Sequence, residues 1–294
     1  MMKHGRFTGS AALIGSAFLW ATAYIFVKNL VEDIPPCMLL SLRFSLAAII
    51  LAVILFPKLK KINKKLLIAG ISMGTALFFE FFFFTVGLQY TTASKSSFII
   101  ASYIIVLPVA YFIIRRRIPS KSDLLSAALC MVGICLIMAD NLNGFNKGDM
   151  LSCLCAVSYA VHIVLSSQYA KEFDGGLLNL IQIATSAVLS TIAALILGDF
   201  QGGVAKGALW GIVFLAIVCT IIPYFLCLYG MKYVSTTTSG ILLSFESVFA
   251  TILAVLTLGE PLYWQLVLGG IIILCSSFLS ELLSVRKEKG KQEQ

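Results

Sequence analysis

Ten runs of about twenty predominantly apolar residues follow one another along the chain. They lie near 8–28, 36–56, 66–88, 94–114, 121–139, 149–169, 177–197, 207–229, 236–258 and 261–284. Several are separated by only a few residues, so neighbouring runs must form tight hairpins. In hydrocarbon each backbone N–H and C=O must be bonded within its own segment, which leaves the helix as the element for such a run. The polar coat that a soluble fold would need is missing. The chain is 59% hydrophobic and 12% charged, against roughly 25% charged in soluble domains. Its mean hydropathy is +0.96. The expectation is an all-α integral membrane protein with ten transmembrane helices, multi-pass in the cell membrane, with the lipid bilayer as its main solvent.

Charge then orients the helices. The net charge of +8 can suggest nucleic acid, but the basic residues fall in short segments between apolar runs. With the N-terminus inside, seventeen Lys and Arg lie on inner segments, including Lys58, Lys60, Lys61, Arg115, Arg116 and Arg117. Only four (Lys28, Lys95, Lys147 and Lys206) lie outside. The positive-inside rule therefore places both termini in the cytoplasm, and nucleic acid is excluded as a partner. Lys3 and Arg6 before an apolar stretch imitate a signal peptide, but the run continues past Ala23 to Val27, so it reads as a retained first helix. The eight cysteines sit inside apolar runs and read as small hydrophobes. The C-x-C at Cys153–Cys155 has no histidine cluster to complete a metal site. No cofactor is expected.

The chain also repeats itself. G-L-Q-Y-T-T-A-S-K-S at 87–96 aligns with G-M-K-Y-V-S-T-T-T-S at 230–239, and this 143-residue offset runs without a gap until Arg117 meets Glu260. Earlier, an offset of 139 pairs Gly9 with Gly148, Trp20 with Tyr159 and Arg43 with Gln182. Residues 1–139 and 140–294 thus form two five-helix halves, the second carrying the basic tail. Five is odd, so the second half enters the membrane inverted. Inverted repeats are a transporter architecture with the substrate site near the midplane.

The stretches L-W-A-T-A-Y at 19–24, L-R-F-S-L-A-A at 42–48, G-L-Q-Y-T-T-A-S at 87–94 and the long segment 229–260 carry a resemblance. The chain resembles the EamA-type permeases of the drug/metabolite transporter superfamily. The resemblance implies ten helices, cytoplasmic termini and export or exchange of small metabolites, often amino acids or drugs, usually driven by an ion or substrate gradient. It also implies a cavity lined by the first, third and fourth helices and their repeat mates. Two departures stand out. The family's proline after the mid-helix glutamate is Ser247 here, which puts a kink of the ninth helix in question. The Gly-Glu that ends the ninth helix is Arg116-Arg117 in the fourth, so the halves are not equivalent.

A charge at mid-bilayer costs roughly 2.5–3.5 kcal/mol on insertion scales, so a buried one needs a cavity, a partner or a proton. Arg43, Glu80, Lys95 and Glu246 are the ionisable residues that raise this question. Glu246 sits at the centre of the ninth run and its repeat mate is Tyr103. It can bind an ammonium group or exchange a proton, or it can be a protonated acid bonded between helices. Trp20, Tyr24, Tyr103 and Tyr159 can form an aromatic wall for a flat or cationic solute, or merely pack. Arg43 is the residue usual for the family, and reads as a salt-bridge partner or a solute contact. His162, one turn beyond Tyr159, can shuttle protons or make an ordinary helix contact. Glu80 stands among six phenylalanines in A-L-F-F-E-F-F-F-F-T-V-G-L, 76–88. The expectation is that Glu80 turns inward, ionised and paired with Lys95 or Arg43, as an extracellular gate; a neutral Glu80 bonded to Thr85 is the alternative.

No catalytic constellation and no phosphate-binding loop is seen, so an enzyme is not expected. The expected function is secondary active transport, probable export, of a small metabolite such as an amino acid by alternating access, with a proton as a candidate coupling ion. A multidrug or cation exporter is the first alternative, and a lipid flippase or membrane enzyme the next. Monomer and homodimer both remain open.

Overall fold

The computed structural model describes residues 2–116, 128–129, 132–133, 135–136, 145–201, 207–272 and 274–276. The expected fifth span lies almost wholly outside these residues, as do the end of the tenth and the basic tail. Every long regular element among the described residues is a helix. They are α1 (Met2–Leu30), α2 (Pro36–Ile54), α3 (Lys64–Gly87), α4 (Ala93–Ile114), α5 (Lys147–Tyr169), α6 (Gly175–Leu197), α7 (Ala208–Tyr233) and α8 (Thr236–Leu258). All eight are long and apolar enough to cross a membrane, and a shorter apolar helix, α9 (Trp264–Ser276), follows.

Short polar residues start the helices where the runs begin. Asn63 accepts from Leu66 N (2.9 Å), Thr92 from Lys95 N (3.2 Å) and Ser235 from Thr238 N (3.1 Å). Asn146 and Asp149 form a reciprocal capping box at α5. Asp174 caps α6 through Gly176 N and Leu177 N. Gly198 and Gly259 end α6 and α8 at φ +74° and +65°, a left-handed turn that glycine adopts without cost.

Two helices depart from regularity. At Ser102 α4 tightens into i→i+3 bonds, Ser102 N to Ile99 O and Ile105 N to Ser102 O. In α7 a π-turn occupies Ile217–Ile221, just before Pro223. By contrast α8 runs unbroken from Thr236 to Leu258, with Ser247 in the place of the family's proline. The helices that carry the aligned stretches, α4 and α8, therefore differ in shape as well as in sequence.

The packing partners are mutual. α3 lies against α5 and α6, α1 against α7 and α8, α2 against α6 and α7, and α4 against α5 and α8. At two crossings the backbones nearly touch. A Cβ on Gly148 would stand 2.6 Å from Gly87 O, and one on Gly230 would stand 2.7 Å from Gly9 O. These four glycines are the ones aligned by the 139- and 143-residue offsets. Outward faces such as Ile54, Ile196 and Leu256 stay exposed, as a hydrocarbon solvent requires.

Candidate solute site

The helices enclose a cavity of about 360 Å³ lined by Trp20, Tyr24, Glu80, Phe81, Tyr159 and Glu246 among others. A smaller space of about 170 Å³ adjoins it, and Tyr24, Tyr159 and Glu246 line both. Tyr103 closes the smaller space, its hydroxyl donating to Gly240 O. Trp20 meets Tyr159 edge-on at 6.2 Å, and Tyr103 lies 4.6 Å from Tyr159. All six residues singled out from the sequence as solute contacts thus line one or both of two adjoining spaces. Of the phenylalanines beside Glu80, Phe81 and Phe84 line the cavity, whereas Phe79 faces outward and is 45% exposed.

Glu246 accepts a hydrogen bond from Tyr159 Oη at Oε2, 3.3 Å. Tyr24, on α1, reaches the same part of the wall. Trp20 keeps an indole N–H without a partner among the described residues. A carboxylate, ring faces and an unused donor can together hold a small solute bearing an ammonium and an acceptor group.

The expected pairing of Glu80 with Lys95 or Arg43 is not what the structure holds. Lys95 Nζ pairs with Asp149 Oδ2 at 2.8 Å. Asp149 also accepts from Thr91 Oγ1 (2.8 Å) and Asn146 N (3.0 Å). The reason is depth. Lys95 is on the first turn of α4, level with the first turn of α5, while Glu80 lies about 10 Å farther down α3 at 1.5 Å per residue. Glu80 meets His162 on α5 instead, Oε2 to Nδ1 3.1 Å. Nor is Thr85 its partner, since that hydroxyl is buried with no partner among the described residues.

Arg43 is explained by the backbone. Pro223 has no N–H, so it cannot bond the carbonyl four residues earlier, which belongs to Cys219. Arg43 Nη2 donates to that oxygen at 2.8 Å and Nε to Thr220 Oγ1 at 2.7 Å. Its guanidinium lies 4.6 Å from the Phe81 ring, behind the cavity wall.

One group, Asp149, and one pairing, His162 with Glu80, escaped the sequence reading. Asp149 carries the signal Asn-x-x-Asp of a capping box, but the box alone does not name Lys95 as its partner. His162 was noticed as one turn from Tyr159, yet nothing in the linear order ties it to Glu80.

Antiparallel apolar helices around a small aromatic and acidic cavity define a polytopic membrane transport protein. The EamA-like transporter family matches residues 7–139 and again 146–282, and the chain belongs to that family. It is 26% identical over 267 residues to an uncharacterized transporter of Archaeoglobus fulgidus, covering 90% of this chain and 83% of that protein. It is 32% identical over 199 residues to the threonine/homoserine exporter RhtA of Escherichia coli, covering 64% of this chain and 62% of that one. A crystal structure 17% identical superposes with a TM-score of 0.71, over 95% of this chain and 98% of the other, a likeness of fold.

Proposed function

We propose that the chain is a secondary active exporter of small amino acids, working by alternating access in the plasma membrane with both termini cytoplasmic. Its architecture in this reading is ten helices in two inverted repeats, 1–139 and 140–294. The observation that carries the substrate assignment is the Glu246 carboxylate at the junction of the two cavity spaces, held by Tyr159. An α-ammonium would sit on it, facing aromatic rings, and the free indole N–H of Trp20 would take the solute's carboxylate. The exporter name of the Escherichia coli relative points to the same class of solute.

Three observations support the repeat. The family matches the chain twice, the helix contacts exchange into one another when the halves are swapped, and the glycine crossings 9/230 and 87/148 correspond. The test is counterflow of L-threonine in proteoliposomes, with putrescine as the cationic comparison. Threonine should exchange, and Glu246→Gln should lower the rate at least tenfold. Counterflow of putrescine alone would transfer the assignment to a cation exporter, and an unaffected Glu246→Gln would remove the carboxylate from the site.

A further inference from the structure

Glu80 and His162 form a buried pair whose hydrogen bonds, in the amide orientation of this structure, call for a proton. Gln182 Nε2 donates to Asn179 Oδ1 at 2.6 Å, so the Gln182 oxygen faces His162 Nε2 at 3.0 Å. In this amide orientation, which leaves Asn179 Nδ2 without a partner among the described residues, Nε2 carries a hydrogen. The other ring nitrogen, Nδ1, then stands 3.1 Å from Glu80 Oε2. If both atoms presented only lone pairs they would repel. A proton on either atom removes the conflict, with Glu80 as the neutral acid or an imidazolium beside the carboxylate.

The place of the pair gives that proton a use. Glu80 lines the cavity that holds Glu246, while His162 is 3% exposed and backed by Gln182. We propose that Glu80 and His162 together form a proton-binding site, distinct from Glu246, through which solute movement is coupled to a proton. The inference rests on the exporter reading only for its coupling half; the proton site stands on the geometry.

Charge accounting sets the direction. With one proton the pair is neutral, and with none it carries −1. Arg43 on α2 and Glu246 on α8 face it. So do the hydroxyls of Tyr24, Tyr103, Tyr159 and Tyr224, from α1, α4, α5 and α7, and the thiols of Cys155 and Cys227. Against this fixed surround, loss of the proton adds one negative charge beside Glu246 and strengthens the hold on an ammonium. Uptake of the proton weakens it. Solute and proton therefore compete for the cavity, which is the requirement for antiport.

The pair also joins α3 to α5, and Gln182 and Asn179 tie it to α6. α3 and α6 are pressed together at Gly74, where a Cβ would lie 2.5 Å from Gln182 O. Proton loss places repulsion across the α3–α5 contact while α3 and α6 stay fixed, so occupancy biases one particular helix contact.

The chain has two histidines, His4 and His162, which makes the test direct. Protein labelled with [15N]histidine and carrying His4→Asn gives one imidazole. It should read Nε2-protonated, and Glu80→Gln should displace both its Nδ1 shift and its titration midpoint. Identical spectra and midpoints with and without Glu80→Gln would overturn the proton site. In proteoliposomes with L-threonine, Glu80→Gln and His162→Gln should each cut pH-gradient-driven accumulation at least tenfold relative to counterflow in the same variant. Equal losses in both assays, or no loss of gradient-driven accumulation, would overturn the coupling. Absence of threonine counterflow in the parent protein refutes the amino-acid reading and leaves the imidazole spectra to decide the proton site.

Discussion

Gly148→Ala tests one of the close backbone crossings. The added Cβ would meet Gly87 O at 2.6 Å and the Thr91 backbone N and Cβ each at 2.9 Å. A carbon and a carbonyl oxygen settle at about 3.3 Å or more, so α5 must withdraw from the α3–α4 hairpin by about 0.7 Å. Two of the three obstructing atoms are backbone and cannot rotate aside. Overpacking of this kind costs about 1–3 kcal/mol, and the shift falls beside the 2.8 Å contacts of Asp149 with Thr91 and Lys95. Gly15→Ala is the control, since its Cβ would meet only Leu226 Cδ1 at 3.7 Å, an ordinary contact. Unfolding in mixed micelles titrated with SDS should show Gly148→Ala less stable by about 1–3 kcal/mol and Gly15→Ala unchanged or slightly more stable. A cysteine at Ser96, buried at the same end, should also label faster in the Gly148→Ala background. The reasoning fails if Gly148→Ala proves as benign as Gly15→Ala.

The same measurement can be applied elsewhere. Lys95→Met leaves Asp149 buried without its cation and should cost about 2–3 kcal/mol, less than a fully buried pair because Lys95 is partly exposed. Adding Asp149→Asn should recover at least about 1 kcal/mol, and simple additivity in that cycle would dismiss the pair as a stabilising unit. Arg43→Lys gives up the forked contact to Cys219 O and Thr220 and should lose about 1–3 kcal/mol, the cost of an unsatisfied buried group; full stability in Arg43→Lys would show that any cation suffices. Outside the spans, burial alone would raise the Asp174 carboxyl, but N–H bonds from Leu177 and Gly176, with Lys58 at 3.3 Å, outweigh it and hold the carboxyl below its usual range. Its stabilisation is complete above the unfolded value near 3.9 and is lost as pH falls through the lower folded value. A melting profile of Asp174→Asn against the parent should therefore converge at the acid end, and a constant gap down to that end would contradict the cap.

Periodicity and composition carry the helices because hydrocarbon allows a twenty-residue apolar run one backbone solution. For the same reason the capped starts at Asn63, Thr92, Asn146, Asp174 and Ser235 stand where the polar breaks fall. The aromatic and acidic cavity was legible too, since Trp20, Tyr159 and Glu246 are polar-tipped residues in the middle of such runs. What the linear order did not carry was which charge meets which. The guess that Lys95 reaches Glu80 relied on depth along one hairpin. The actual partners, Asp149 and His162, come from α5, whose position beside α3 and α4 is a tertiary fact. Arg43 shows the same gap: its partner is a carbonyl freed by Pro223, and a carbonyl leaves no mark of its own in a sequence.

The two ends of the helix stack are closed by different chemistry. Where α4 begins, Lys95 pairs with Asp149, Lys28 donates to Leu88 O and Thr91 O, and Glu260 accepts from Ala93 N and Ser94 N. Where α8 begins, the contacts are Ser167 with Thr236, Thr8 with Tyr229, the Gly9–Gly230 crossing and an ion pair, Lys58 with Asp174, that is exposed on both sides. The offsets place Ser10 opposite Asp149, Thr238 opposite Lys95 and Arg117 opposite Glu260, so the charged closure has no copy in the other half. Breaking the partly exposed Lys95–Asp149 pair costs about 2–3 kcal/mol, whereas a neutral hydrogen bond is worth about 0.5–1.5 kcal/mol. Opening at the α8 end is therefore the cheaper motion. In the orientation proposed above that end faces the cytoplasm, where an exporter must collect its solute. In the proposal above, opening the other end would draw on solute binding and on the proton site of Glu80 and His162.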